Sequence, residues 1–453
     1  MLGLARSGGA AARLLADAGA RVTVYDRRPA GEIAEAIGAL GERRVELALG
    51  SSPQELGALL SAASLIVTSP SISTRFPTTD AWLRQALLEQ ERAGTEVVSE
   101  VELFLRLTSA RVLAVTGTKG KTTTTALIGS ILAAAEIPHA VGGNIGTPLI
   151  ERVPTLSPGD WAVLELSELQ LPTISRGADL ALYTNIGADH LDRHGSVAAY
   201  RAVKARLAEL SAPAGRVILN ADDAGCRDLA AVLPPDAVEW YGLQEGPSEL
   251  AATVRDGWLM IGSERALPAA DVPLPGRHLL ADALGAALAA SLAGASTGAV
   301  ADGIRGFGGV PHRLEALGER AGVLYVNDSQ ATIPLAAMAA LDAFPGRGLV
   351  LIAGGKDKGL DYQELAGAIA SHCRAAILIG ETADELERLI GGRTAVERAA
   401  DMEEAVTRAA ALASAGDVVL LSPAAASFDM FTDYAARGDA FRAAVAALPG
   451  ADS

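Results

Sequence analysis

Cysteine and positive charge are both scarce in this chain of 453 residues. Its two cysteines, Cys226 and Cys373, lie far apart and lack the spacing of metal ligands, so we expect buried or free thiols in a reducing compartment. Lysine and arginine number 38 against 54 aspartates and glutamates, which gives a formal net charge of −16. That balance argues against nucleic acid or an anionic membrane surface as the partner.

Long apolar runs are missing as well. No stretch reaches the roughly 20 apolar residues that a membrane span needs, and no basic segment followed by an apolar one opens the chain. The cytoplasm is therefore the expected location. The chain is too long for one ordinary core, so two or three domains are expected.

The most informative stretch that is present covers residues 110–135, ARVLAVTGTKGKTTTTALIGSILAAA. An apolar, β-branched run is followed by a loop rich in Gly and Thr and then by an apolar helical pattern. A strand, a glycine loop and a helix N-terminus together form a cradle of backbone N–H groups for phosphate. Lys121 adds a mobile positive charge, and Thr122 stands where a hydroxyl can hold Mg²⁺ between phosphates. The alternative is an ordinary glycine-rich turn.

Residues 1–29 have the pattern of a dinucleotide-type βαβ unit, with a turn at Gly3, Ser7 and Gly8, a helix, and a strand that ends at Asp26. Only two residues precede the turn, where a strand of about five or six is usual. Either the sheet lacks an edge of that strand or the chain starts downstream of the natural start, and we favour the second. Strands at 64–68 and 96–98 complete a small α/β domain, and Ser69 lies at a strand end where ligands of such sheets bind.

Two further regions alternate strands with helices, which predicts parallel sheets. Their strands are expected at 112–115, 161–166, 180–184 and 216–219, and then at 323–326, 349–352, 375–379 and 418–421. Residues 247–271 are turn-rich and strand-like, which is typical of an insertion. We therefore predict α/β domains at residues 1–99, 100–308 and 309–453.

Four polar residues of the second region are candidates for chemistry. Glu165 ends a buried strand, where a carboxylate can hold Mg²⁺ bound to phosphates, although a surface charge is the alternative. Asn144 lies in the loop GGNIGTP, whose glycines allow close approach of a ligand or simply a tight turn. His190 follows a strand, and Lys204 shares a helix face with Tyr200 at i, i+4. Taken alone, the histidine would be an ordinary structural residue and the lysine a solvated one.

Three polar loops follow strands of the third region, in YVNDSQATIP, AGGKDKGLDY and LLSPAAASFDMF. Loops at the carboxyl ends of one sheet predict a ligand site that faces the central domain. Each loop alone could instead be an ordinary turn whose polar residues stabilise only its own backbone. Arg313 follows His312 at the predicted domain junction, where an arginine suits bidentate contact with phosphate.

Taken together, these segments resemble the Mur ligase family over nearly the whole chain. They are, in family order, GTKGKTT, GNIG, ELSELQL, NIGADHLDRHG, YRAVK, PHRLE, NDSQAT, GGKDKG and LLSPAAASFDMF. The resemblance implies a Rossmann-like domain for a uridine diphosphate group, a central P-loop-type ATPase domain with a parallel sheet, and a Rossmann-like C-terminal domain that brings the amino acid. It also implies an ATP-dependent ligase that adds D-glutamate to UDP-N-acetylmuramoyl-L-alanine through an acyl phosphate, in peptidoglycan precursor synthesis, and a monomer.

The resemblance also implies roles for individual positions. The catalytic residues are Lys121, Glu165, His190 and Lys204, and the ligands of two expected Mg²⁺ ions are Thr122, Glu165, His190 and Lys204. Lys204 matches a family lysine that CO₂ carbamylates, which turns a cation into a carboxylate-like ligand. The ATP-binding residues are Gly117, Thr118, Lys119, Gly120, Lys121, Thr122, Thr123, Arg313 and Asp328. The residues that bind the uridine diphosphate, the muramoyl group or D-glutamate are Ser7, Asp26, Arg27, Ser69, Asn144, His190, Thr332, Lys358, Ser427 and Phe428.

Four positions depart from the family pattern. Leu279 and Asp282 stand where the adenine segment usually has asparagines, Gln330 replaces a usual lysine, and Ser71 stands where a glycine is common. None of these changes removes a residue of the phosphoryl-transfer core. The alternatives are another Mur ligase, a ligase like folylpolyglutamate synthase, or a non-catalytic nucleotide-binding module.

Overall fold

The computed structural model describes residues 1–70, 72–74, 79–144, 148–187, 194–244, 249–273 and 276–449. The chain divides into two compact units, Met1–Phe307 and Gly308–Ser453. The three predicted domain boundaries remain a prediction. Both cysteines are free and buried, as expected, and burial raises the pKa of the Cys373 thiol to about 12. None of the described helices is long and apolar enough to cross a membrane.

The first unit opens with a small parallel sheet. Its strands are β1 (Val22–Asp26), β2 (Val45–Leu49), β3 (Leu65–Thr68) and β4 (Glu96–Ser99). Leu2 forms parallel bridges to both Tyr25 and Thr68, so it occupies the place between β1 and β3 where the first strand was expected. The helices around this sheet are α1 (Arg6–Asp17), α2 (Ala34–Gly38), α3 (Pro53–Ala62), α4 (Ala81–Ala93) and α5 (Glu100–Leu107).

The second sheet of this unit has nine strands in the order β13-β12-β11-β10-β9-β8-β5-β7-β6. They are β5 (Arg111–Thr116), β6 (His139–Gly143), β7 (Trp161–Glu165), β8 (Leu180–Tyr183), β9 (Arg216–Asn220), β10 (Val238–Gly242), β11 (Ala252–Arg255), β12 (Trp258–Ile261) and β13 (Glu264–Pro268). Strands β5 to β11 pair in parallel, as predicted, whereas β12 and β13 are antiparallel. The stretch interpreted as an insertion therefore extends the edge of the central sheet.

Five helices of the described part of the chain belong to this sheet. They are α6 (Lys121–Ala134), α7 (Val197–Ser211), α8 (Ala224–Ala230), α9 (Arg277–Leu292) and α10 (Thr297–Arg305). Helix α6 packs against two of them, α9 and α10. Leu127, Ile128, Ile131 and Leu132 of α6 are fully buried, and Ser130 Oγ donates to Gly303 O of α10 at 2.7 Å. Gly303 packs so closely that a Cβ there would overlap the backbone of Ile131. This packing fixes the N-terminus of α6 at the carboxyl end of β5.

The second unit contains a six-stranded sheet in the order β14-β15-β19-β16-β17-β18, in which only β14 is antiparallel among the described strands. The strands are β14 (Glu315–Arg320), β15 (Val323–Asn327), β16 (Leu349–Gly354), β17 (Cys373–Ile379), β18 (Ala395–Arg398) and β19 (Val418–Leu421). The helices are α11 (Pro334–Leu341), α12 (Gln363–His372), α13 (Ala383–Ile390), α14 (Met402–Leu412) and α15 (Tyr434–Ala447). Because β15, β19 and β16 are neighbours, the loops at their carboxyl ends lie side by side.

Candidate active site

The glycine loop between β5 and α6 has a positive φ at two points, where the backbone favours glycine. Gly117 has a φ of 152°, and a Cβ there would overlap the hydroxyl of Thr184. Gly120 precedes α6 with a φ of 83° and caps the helix without a side-chain bond. The first N–H groups of α6 are therefore left to face a ligand, and the helix dipole favours an anion there.

Two lysines converge on one backbone carbonyl of this loop. Lys121 Nζ donates to Gly117 O at 3.0 Å and to Thr118 O at 2.8 Å. Lys204 arrives from α7, is fully buried, and donates to the same Gly117 O at 2.9 Å and to Thr116 Oγ1 at 3.1 Å. Residues 83 positions apart in the sequence thus bring two ammonium groups to the phosphate loop.

Glu165 ends β7 beside the loop, since its backbone lies in register with Val115 of β5 and Gly143 of β6. Its side chain is 1% exposed, and its Oε1 accepts a hydrogen bond from Asn144 Nδ2 at 2.9 Å. Its Oε2 is buried without a hydrogen-bond partner among the described residues. A buried carboxylate oxygen in this condition fits a divalent cation, which prefers oxygen ligands.

The structure also describes the other predicted residues of the phosphate loop. Thr122 and Thr123 are both buried in the first turn of α6. Thr118 Oγ1 lies 3.1 Å from the hydroxyl of Tyr200, one turn before Lys204 on α7. Lys119 is exposed at the tip. His190 lies outside the described residues, so its predicted role stays a prediction.

Asn185 is a residue that sequence reasoning missed. Its Oδ1 accepts the N–H of Lys119 at 3.0 Å, its Nδ2 donates to Lys119 O at 2.9 Å, and its carbonyl accepts the N–H of Thr118 at 3.0 Å. Asn185 therefore fixes the shape of the phosphate loop from the end of β8. Its place at a strand end, in the same segment as His190, was the available signal.

A cavity of about 300 Å³ opens at the carboxyl end of the N-terminal sheet, and Asp26, Arg27 and Ser69 line it. Burial alone would raise the pKa of Asp26, but hydrogen bonds from Arg28 and from the Leu4 N–H outweigh it and lower the pKa to about 2. Arg27 is exposed and pairs with Asp80 at 3.2 Å. Ser7 lies in the first turn of α1 and is not among the described residues that line the cavity.

In the second unit, the loop after β15 holds Asp328 in a buried network. Its Oδ1 accepts the Leu314 N–H at 3.1 Å, and its Oδ2 accepts the Ser422 hydroxyl at 2.8 Å. Burial raises the pKa of Asp328 to about 6, against the opposing effect of these bonds. Asp328 therefore ties the loops after β15 and β19 together and holds the backbone next to Arg313. Arg313 is exposed between two residues with positive φ, His312 at 63° and Leu314 at 44°.

The predicted D-glutamate residues lie on the three adjacent loops of this unit. Lys358 is exposed after β16, and its Nζ donates to Thr332 O, of the loop after β15, at 3.3 Å. Ser427 is buried in the loop after β19, whereas Phe428 is 70% exposed. The structure thus brings Lys358 and Thr332 into contact.

Of the departures from the family pattern, Asp282 shows the clearest geometry. It is buried on α9, and a Cβ at Gly120 would overlap its carboxylate, so the two residues are in close contact. Leu279 is half-buried near the start of the same helix. Gln330 Nε2 lies 3.5 Å from the Tyr434 hydroxyl, and Ser71 lies outside the described residues. A carboxylate thus stands directly beside the phosphate loop.

Two family models match this chain. The model described as Mur ligase middle domain matches residues 115–290, and the one described as Mur ligase, glutamate ligase domain matches residues 312–425. The first range contains the phosphate loop, Glu165 and Lys204. The second contains two of the three polar strand-end loops and the first half of the third, and it ends before Ser427.

Curated relatives extend the similarity over the full length. A protein of Solibacter usitatus is 39% identical over 453 residues, which cover 100% of this chain and 98% of that protein. A protein of Gloeobacter violaceus is 40% identical over 459 residues, which cover 99% and 98%. Both are named UDP-N-acetylmuramoylalanine–D-glutamate ligase.

Solved structures share the fold. The crystal structure of UDP-N-acetylmuramate-alanine ligase MurC from Thermotoga maritima matches with a TM-score of 0.59 and 17% identity, over 97% of both chains. This likeness confirms the predicted α/β fold class. The two family models and the full-length relatives show that the chain belongs to the Mur ligase family.

Proposed function

We propose that this chain is an ATP-dependent ligase that adds D-glutamate to UDP-N-acetylmuramoyl-L-alanine, in the synthesis of the peptidoglycan precursor. Relatives that cover the full length carry the name of this activity. The observation that carries the proposal is the convergence of Lys121 and Lys204 on Gly117 O, beside the buried carboxylate of Glu165. A reactive triphosphate needs two things from a protein: positive charge, and a negatively charged ligand for the metal ion.

The chemistry follows from the weakness of a carboxylate as an electrophile. Transfer of the γ-phosphoryl group of ATP to the substrate carboxylate gives an acyl phosphate, which contains a good leaving group. The amine of D-glutamate then attacks the acyl carbon, and inorganic phosphate departs from the tetrahedral intermediate as the amide forms. Lys121 would release the loop carbonyls and follow the charge of the transferring phosphoryl group, while the N–H groups at the start of α6 hold the phosphates.

Mur ligases depend on ATP and use Mg²⁺. The residues that would hold Mg²⁺ here are Glu165, through its unpartnered Oε2, and Thr122 at the start of α6. When bound, Mg²⁺ would neutralise phosphate charge as the phosphoryl group moves. A second ion, held with the help of His190 and Lys204, is part of the proposal.

We also propose that Lys204 carries a carbamate in the active enzyme. The ammonium first loses one proton, the resulting amine attacks CO₂ and an N–C bond forms, and a second proton leaves the nitrogen, so a cation becomes an anion at the same place. Lys204 is fully buried against Thr116 Oγ1 and Gly117 O. A carbamate in that position would put oxygen ligands next to the phosphate loop, where a second ammonium would otherwise face the cation.

The other sites complete the proposal. The cavity lined by Asp26, Arg27 and Ser69 would bind the uridine diphosphate group, and Asn144 would contact the muramoyl substrate. Thr332, Lys358, Ser427 and Phe428 would bind D-glutamate, with Lys358 pairing a carboxylate. Arg313 and Asp328 would bind ATP. The cytoplasmic location and the monomeric state remain predictions.

The decisive experiment measures phosphate release from ATP with UDP-N-acetylmuramoyl-L-alanine and a panel of amino acids. The proposal expects release with D-glutamate only, together with a product heavier by one glutamyl residue. L-Alanine, L-glutamate, diamino acids and a folate acceptor test the alternative ligases. Release with one of these instead, or none with any of them, would overturn the proposed activity.

A further inference from the structure

The loop after β17, residues 380–382, contacts the predicted D-glutamate loops but has no place in the proposed site. Thr382 exchanges two hydrogen bonds with Gly355: its N–H donates to Gly355 O at 3.1 Å, and its Oγ1 accepts the Gly355 N–H at 3.2 Å. Gly380 fits so tightly that a Cβ there would overlap the Asp429 carboxylate and the Gly355 backbone. Hydrogen bonds and close packing therefore hold this short loop against the GGKDKG loop that carries Lys358.

Glu381 provides a charged contact between this loop and the loop that carries Lys358. Its carboxylate accepts a hydrogen bond from Lys356 Nζ at 2.6 Å. Its own N–H donates to Asp429 Oδ2 at 3.0 Å. The hydrogen bond from Lys356 is the main reason why the pKa of Glu381 is lowered, so the carboxylate is ionised at neutral pH. One residue is thus bonded to two neighbouring loops.

Both bonded segments lie directly beside residues assigned to the amino acid. Lys356 and Asp357 immediately precede Lys358, and Asp429 lies two residues after Ser427. Lys356 also joins these two loops through its N–H, which donates to Ala426 O at 2.8 Å. A shift of the backbone at Asp357 would move the Lys358 ammonium, whose reach sets where a carboxylate can bind.

We propose that Glu381 is a positioning residue for the amino-acid site, which holds the Lys358 loop and the Ser427 loop in the arrangement that binds D-glutamate. This role rests on the proposed function, because it presupposes that D-glutamate is the substrate. Glu381 touches no reacting atom, so its loss should weaken binding of the amino acid and leave the chemical step in place.

Kinetics of Glu381→Ala and Glu381→Gln test this role. The alanine variant loses the hydrogen bond from Lys356, so its KM for D-glutamate should rise roughly three- to five-fold, the upper end expected for an exposed ion pair. Glutamine keeps an uncharged acceptor for Lys356 and should recover part of the loss. The kcat and the KM values for ATP and the muramoyl substrate should change by less than about two-fold, since the bond lies at the amino-acid loops.

The matched control is Glu385→Ala. Glu385 lies four residues further on, is similarly exposed, and pairs only loosely with Arg388 at 3.7 Å on α13. Its removal should leave the KM for D-glutamate unchanged. A second variant, Gly380→Ala, pushes on Asp429 and Gly355 and should raise the same KM without touching the Glu381 carboxylate.

The outcomes separate the positioning role from the proposed function. No use of D-glutamate by the wild-type enzyme would refute the function itself. Wild-type use of D-glutamate with an unchanged KM in both Glu381 variants would overturn the positioning role alone. An equal loss in Glu385→Ala, or a fall in kcat without a change in KM, would overturn it too, because either result indicates general damage.

Discussion

Replacing Glu165 by Gln should remove most of the turnover without weakening the fold. The side chain is 1% exposed, and its Oε1 accepts the Asn144 amide at 2.9 Å. Glutamine has the same shape and can keep that acceptor, so the substitution removes mainly the charge on Oε2, which lacks a hydrogen-bond partner among the described residues. A hard divalent cation loses its anionic ligand, while the packing of β7 is retained.

The magnitude follows from the position of this carboxylate at the end of β7. Loss of one preorganised electrostatic group at a developing charge lowers kcat by about 10²–10³, or roughly 3–4 kcal/mol of barrier. The stability of the fold should stay level or rise, because a neutral amide is less costly to bury than an ionised carboxylate. Activity and stability should therefore separate in this variant.

Phosphate release measures the activity of this variant. Thermal unfolding with and without Mg²⁺ and ATP measures its stability and its ligand binding. A ligand present at 100 times its Kd stabilises the folded state by about 2.7 kcal/mol, which is roughly 5 °C in Tm for a unit of this size. The wild type should show a shift of this order with ATP and Mg²⁺ together, and a smaller shift with ATP alone. The Glu165→Gln variant should keep the shift from ATP alone and lose the part that Mg²⁺ adds.

Glu102→Gln is the matched control, because Glu102 is equally buried in the same unit and is fully bonded. Its carboxylate accepts hydrogen bonds from the Ser175 N–H, the Ser175 hydroxyl and Arg106. This variant should unfold more easily, by about 1–3 kcal/mol, and keep its turnover and its Mg²⁺ response. Near-normal turnover of Glu165→Gln with an intact Mg²⁺ shift would refute the assignment of the cation to Glu165.

Three other substitutions test the remaining assignments. Lys121→Ala should reduce phosphate release at least about 10³-fold, because it removes the charge that follows the γ-phosphoryl group; near-normal product formation would dispose of that role. Lys204→Ala should be nearly inactive and partly recovered by formate or acetate, and full activity without them would refute the carbamate. Burial raises the pKa of Asp328 from its ordinary 3.8 to about 6. This group therefore contributes stability below about pH 4 that is lost as pH rises through about 6, a loss of roughly 3 kcal/mol. Urea unfolding of Asp328→Asn should lack this loss, and a pH dependence equal to that of the wild type would contradict the buried network.

The phosphate loop could be predicted from the sequence because its determinants are local. An apolar run, two glycines with positive φ and a helix pattern all lie within residues 111–134, and the structure has β5, the loop and α6 there. The strands with fully buried faces, such as β7 and β19, were predicted for the same reason. Their continuous apolar runs are typical of parallel strands covered on both sides.

The sheet edges could not be predicted in this way. Strands β2, β6 and β18 each end a sheet, and none of the three was predicted. Most residues of β2 and β18 are half-buried or exposed, so these strands lack the apolar run that marks a central strand. The antiparallel pairs at β12–β13 and β14–β15 also lie at edges. Pairing at an edge is decided by the neighbouring strand, which no local pattern describes.

Contacts between distant segments decide the chemistry of the site, and they explain how a chain with a net charge of −16 can bind a triphosphate. Lys121 reaches Gly117 O within one helical turn, but Lys204 reaches the same carbonyl only because α7 packs across β8. Asn185, which follows β8, fixes the shape of the loop by a hydrogen bond to Lys119. Charge at a site depends on the few groups within several ångströms, because the field of distant surface charges is screened by water and salt. The composition therefore argues against polyanionic macromolecules, which contact large surfaces, and has no bearing on a nucleotide, which contacts one loop.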